Sequence, residues 1–185
     1  MTTLVFCLEE PSARAMLEGV VPRLFPDVQC RFIVFEGKQD LHKRLVMRLR
    51  GWQGDALFVV MRDQDSGNCV DIKAQLSALC EEAGHPDALV RIACRELESF
   101  YLGDLAAVEQ GLSMTGLARQ QGNQKFRDPD RLVNAAEELK KITKNSYQKL
   151  SGSRSIAPFL RLDEGHRSTS FKALLSGLQR LLHEA

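Results

Sequence analysis

The sequence predicts an α/β fold: a doubly wound sheet of four parallel strands with helices on both faces, then a basic, mainly helical C-terminal extension. Three observations lead there. Four short apolar runs alternate with longer amphipathic stretches in the first half of the chain. Within each run the apolar residues are nearly continuous, as in strands buried on both faces. Later the pattern turns helical, polar and basic, which divides the chain into a core at 1–110 and an extension at 111–185 packed on it.

The elements follow in order. Thr3–Leu8 (TLVFCL) is the first strand. Pro11–Leu24 sets Ala15, Met16, Val20 and Leu24 at helical spacing, with Pro11 suited to a first turn. Gln29–Phe35 is the second strand, and Lys38–Trp52 a helix with Leu41, Leu45, Leu49 and Trp52 on one face and basic residues on the other. Ala56–Met61 is the third strand. Val70–Ala83 is a helix stopped by Gly84 and Pro86, and Ala88–Ala93 is the fourth strand. Gly103-Asp104 separates two helical pieces, with Asp104 a cap. Lys125–Pro129 and Ser151–Pro158 read as loops, and Phe171–Leu182 as a terminal amphipathic helix.

Composition narrows the function classes. A chain of 185 residues with 44% hydrophobic and 26% charged residues is neither disordered, fibrous nor a disulfide scaffold. No apolar stretch approaches the ~18 residues of a membrane span, and the first residues lack the basic leader of a signal peptide. Five scattered cysteines without a C-x-x-C pair point to a reducing cytoplasm and away from structural zinc. Charge is uneven. Residues 1–118 hold 12 Lys and Arg against 17 Asp and Glu, whereas residues 119–172 hold 12 against 6. That asymmetry suits a polyanion held by the basic part while cations sit in the acidic part. It equally suits a helical subdomain with soluble faces.

Ligands of an open parallel sheet gather at the carboxyl ends of its strands. Acids follow three of them: Glu9-Glu10, Asp63-Gln64-Asp65 and Glu96-Leu97-Glu98. In an extended segment residues two apart point the same way, so Asp63 and Asp65 are expected to converge, with Glu9 approaching if strands one and three are neighbours. Carboxylates so close repel, and Mg²⁺ or Mn²⁺ is the hard cation that resolves this while leaving positions for substrate phosphate. Glu9, Asp63 and Asp65 are therefore the expected metal ligands, and Glu96, rather than Glu98, the expected fourth. Glu9 is also a candidate to move protons. Asp65 reads alternatively as a turn residue and Glu10 as an acid favoured by a helix dipole. Lys149 and Arg154, around Ser151-Gly152-Ser153, are candidates to hold phosphate, Lys149 with a catalytic role in steadying developing negative charge; Lys38, after the second strand, is a further candidate.

These motifs resemble a Toprim domain, the core shared by topoisomerases, primases and nucleases of the overcoming-lysogenization type. Leu8-Glu9-Glu10-Pro11-Ser12-Ala13 follows the family's opening V-E-G-x-[ST]-E, with Glu10 in place of its glycine and Ala13 in place of its last acid. Val60-Met61-Arg62-Asp63-Gln64-Asp65 follows its D-x-D strand. Over FEGKQDL, RDQDSGNC, RIACRELESFYLGDL, KFRDPDRL and YQKLSGSRSIAP the chain is similar to a Toprim-like family of unknown function, often encoded beside AAA-type ATPases in bacterial defence or mobile loci. The resemblance implies a metal-dependent nuclease acting on DNA or RNA, serving anti-phage defence with an ATPase partner.

Two other readings compete. A receiver-like signalling module also uses acids after strand one, an aspartate after strand three and a late lysine. Against it, Ala93-Cys94 stands where a receiver wants a small hydroxyl residue, and Asp65 is superfluous. A non-catalytic Toprim-like subunit that binds or regulates an ATPase is the third reading.

Overall fold

A computed structural model describes residues 2–183 of the chain. Four strands form one all-parallel sheet in the order β2-β1-β3-β4: β1 (Thr3–Leu8), β2 (Gln29–Val34), β3 (Leu57–Asp63) and β4 (Leu89–Ala93). The crossovers run through α1 (Pro11–Leu24), α2 (Lys38–Arg50) and α3 (Cys69–Glu82). This is the doubly wound α/β core expected from the apolar runs. The strand order reverses direction between β1 and β3, and such a switch point opens a crevice at the carboxyl ends of those two strands.

Strand pleating divides the core. Leu4, Phe6, Leu8, Val59 and Met61 face one layer, and Val5, Cys7, Phe58, Val60, Val90 and Ile92 the other. The second layer is covered by α2 and α3 through Leu41, Leu45, Leu49, Ile72 and Leu76. The first is covered by α1 and by the C-terminal half: α4 (Glu98–Leu102), α5 (Leu105–Gly111), α6 (Ala135–Ile142), α7 (Lys149–Ile156) and α8 (Thr169–His183). Residues from both halves share this one apolar cluster, and α8 flanks β4, where Arg91 Nε donates to the Ala173 carbonyl at 3.0 Å. Asp104 caps α5 by accepting from the Ala107 N–H. No helix among the described residues is long and apolar enough to cross a membrane.

Two expected loops differ. Lys125–Pro129 falls largely in short 3₁₀ turns at Gln124–Phe126 and Pro129–Arg131. Ser151–Pro158 is not a loop: Lys149–Ile156 is helical, with a 3₁₀ turn at Ala157–Phe159. Serine and glycine are poor helix formers alone, but here packing decides. A Cβ on Gly152 would collide with the ring of buried Tyr147, so glycine is what admits that ring. Gly19 of α1 does the same for Ala157, whose Cβ would lie 2.7 Å from a Cβ placed there.

Candidate active site at the carboxyl ends of β1 and β3

β1 and β3 are neighbours, with Leu8 opposite Met61, so the residues that follow them meet. Glu9 Oε2 accepts the Asp63 backbone N–H at 3.0 Å and lies 4.0 Å from Arg62 Nε. Burial raises the Glu9 pKa, and the Asp63 N–H and Arg62 work against that rise. Arg62 is itself buried. Its Nε donates to the Asp63 carbonyl at 2.8 Å, and Nη1 stands 3.1 Å from His42 Nε2 on α2.

Asp63 ends β3 and is buried. Its pKa is held well above the usual carboxylate range by burial first, then by Glu10, Glu98 and Glu9, against the pull of the Leu97 N–H. Glu98 opens α4 with no exposed surface. Its Oε1 accepts the Tyr147 hydroxyl at 2.9 Å, while Oε2 has no partner among the described residues. Burial raises its pKa too, against the pull of Lys149. Glu10 takes both its oxygens to Lys149 Nζ, at 3.0 and 2.9 Å. Burial works against the Lys149 charge, but Glu10, Glu98 and Asp63 outweigh it and raise the pKa.

Asp65 goes elsewhere. β3 ends at Asp63, and Asp65 takes a left-handed backbone, φ 54°. Gln64 N–H and Asp65 N–H bond to the carbonyls of Ala93 and Arg95, which fixes the turn. The alternation expected of an extended D-x-D is thereby broken. Asp65 Oδ2 lies 2.8 Å from Lys38 Nζ and 3.7 Å from Arg62 Nη2. Lys38 is the first residue of α2 and Lys149 the first of α7, so each flank of the acidic crevice is closed by a lysine at a helix start.

The expected residues thus divide. Glu9 stands between two sub-clusters: Asp63 with Glu98, Glu10 and Lys149 on one side, and Asp65 with Lys38 and Arg62 on the other. Glu96 does not join either. Its Oε2 accepts the Ala136 N–H at 2.8 Å, serving the first turn of α6. Arg154 is exposed in the last turn of α7, five residues and about 140° around the helix from Lys149. The anion loop expected around Ser151-Gly152-Ser153 is helix, with Ser153 Oγ spent on the Lys149 carbonyl. Sequence reasoning passed over Glu98 in favour of Glu96. The signal that could have found it was its place among Leu97, Phe100 and Tyr101, all buried.

The donors suit a divalent cation in kind: hard carboxylate oxygens, crowded beside a buried Asp63 that lacks a close counter-charge. They are not drawn together as a ligand shell, since no group of three or more Asp, Glu, His or Cys among the described residues could hold a metal ion. The two lysines supply the positive charge instead.

A family described as "Domain of unknown function (DUF4276)" matches residues 8–179. No curated protein and no solved structure matches the chain.

Proposed function

The chain belongs to the DUF4276 family, and from that premise we propose that it is a divalent-metal-dependent nuclease that cuts phosphodiester bonds in DNA or RNA. One observation carries the reading: carboxylates that follow β1, end β3 and open α4 lie together at the switch point, where burial first and then Glu10, Glu98 and Glu9 hold the Asp63 pKa up. Such crowding is costly unless a cation offsets it. Glu9 and Asp63, joined by Asp65 once it is freed from Lys38, would hold Mg²⁺ or Mn²⁺, and the ion would supply Lewis acidity and a hydroxide at neutral pH. Once Lys149 and Lys38 are released from Glu10 and Asp65, their ammonium groups steady negative charge on phosphate oxygens. Arg62 lies within ion-pair reach of both Glu9 and Asp65, and burial, which raises the Glu9 pKa, readies Glu9 to take or return a proton. The resemblance to Toprim-like families supports a further proposal, that the chain is the effector of a bacterial anti-phage defence system working in the cytoplasm with an AAA-type ATPase.

Incubation with DNA and RNA panels is expected to give cleavage that requires Mg²⁺ or Mn²⁺ and falls by about a hundredfold or more in Asp63→Asn and Glu9→Gln. Cleavage that persists in Asp63→Asn overturns the assignment. A second reading, a non-catalytic subunit that binds or regulates an ATPase, is favoured by the lysines already paired with Glu10 and Asp65. Calorimetry separates the two. Mn²⁺ binding that vanishes in Asp63→Asn supports the nuclease, and indifference to metal supports the subunit.

A further inference from the structure

We propose that the solvent face of α2 is the track along which the nucleic-acid backbone enters the site, an inference that rests on the nuclease reading. Over Lys38–Arg50 the helix carries five cations and a single acid. That acid, Asp40, is consumed locally. Its Oδ2 accepts the Glu36 N–H at 3.0 Å and its Oδ1 lies 3.4 Å from Arg44 Nη1. Leu41, Leu45 and Leu49 face the core, which leaves two adjacent rows outward: Asp40, Arg44 and Arg48, and Lys43, Met47 and Arg50. Arg50 is engaged with Glu82, but Lys43 and Arg48 are exposed and have no ion-pair partner among the described residues.

Position makes this more than a solvated face. The helix starts at Lys38, whose Nζ touches Asp65 in the acidic crevice, so the outward cations sit on the helix that begins at the carboxylates. At 1.5 Å per residue the tract is about 20 Å long, which matches roughly six nucleotide steps of 3.4 Å. The neighbouring helices do not compete. On the same side of the sheet α3 carries Asp71, Glu81 and Glu82 against Lys73, and in the extension α6 balances Glu137 and Glu138 with Lys140 and Lys141. The cations of the extension are spread over several short elements, with Lys125, Arg131, Lys149, Arg161 and Lys172 in ion pairs, whereas α2 gathers five cations on one helix. A nucleic-acid backbone, with its closely and evenly spaced negative charges, fits such a helix face better than an acidic protein patch does.

The test is binding of a short fluorescent duplex to the whole chain in EDTA, where no cleavage occurs, over a range of salt. Lys43→Glu with Arg48→Glu is expected to weaken binding about tenfold or more at 0.1 M salt and to lower the log–log salt slope by about 2, near 0.9 for each phosphate that is no longer neutralised. Lys140→Glu with Lys141→Glu, an equal change in net charge on α6, is expected to stay within about twofold. A duplex that binds equally well after reversal of α2 overturns this inference alone, and leaves the face to an acidic protein surface. Equal losses from α2 and α6 overturn it as well, since the effect is then one of net charge. The nuclease reading stands or falls separately, on whether cleavage needs metal and Asp63.

Discussion

The two flanks of the carboxylate crevice are built on different physical terms. On one flank Asp63 and Glu98 are buried, like-charged and raised in pKa by burial first, with Tyr147 bonded to Glu98 and Lys149 to neighbouring Glu10. Around Asp65 the carboxylate is half-exposed and matched by two cations. The residues are two apart in sequence, and what separates them is one left-handed turn. A carboxylate in the first setting stores unfavourable charge that a ligand can relieve. One in the second has little to gain until Lys38 leaves.

Substitutions grade the contrast. Tyr147→Ala removes a fully buried ring and the donor to Glu98, and is expected to cost about 3–5 kcal/mol in chemical denaturation; a loss under 1 kcal/mol would show that the buried flank does not depend on it. Next in size is metal. Mn²⁺ at a hundred times its Kd is expected to add about 2.7 kcal/mol to stability, read as a rise in Tm that Asp63→Asn abolishes.

The pH response follows from the sign of the shifts. Asp63 and Glu98 have folded pKa values above their unfolded ones, so their contribution is fully present below the unfolded values and is lost as pH rises through the folded ones. Metal-free protein should lose stability over that rise, and Asp63→Asn should flatten it and lift Tm at neutral pH, ~1 kcal/mol being about 2–4 °C for a chain this size. Asp65→Asn, which removes a paired carboxylate, should do neither. The smallest effect is Lys38→Ala, expected within about 1 kcal/mol because the pair is solvent-exposed. A larger loss would erase the distinction between the flanks.

The sheet and its helices were legible because continuous apolar runs and leucines at helical spacing leave few alternatives, down to Pro11 as the first residue of α1. The site was legible in its parts and not in its assembly. Spacing placed Glu9 beside Asp63 correctly, through the pairing of β1 with β3. It failed at Asp65 in preferring the extended D-x-D to the alternative of a turn residue, because the bonds to Ala93 and Arg95 that decide for the turn come from the end of β4 and just beyond it in sequence. It failed at Glu96 and Glu98 because the choice depends on where α6 begins, forty residues on. The helix at Lys149–Ile156 was hidden because Gly152 is there for a ring packed against it, a neighbour invisible to propensity.

Gly19 has a consequence for what holds the rim of the crevice in place. With Ala157 pressed onto its bare Cα, α1 and the end of α7 are geared together at backbone range, and they carry Glu10 and Lys149 respectively. The ion pair therefore rides on a single strut. A side chain at position 19 would force the two helices apart and so shift the clasp at the rim of the crevice without touching either charge.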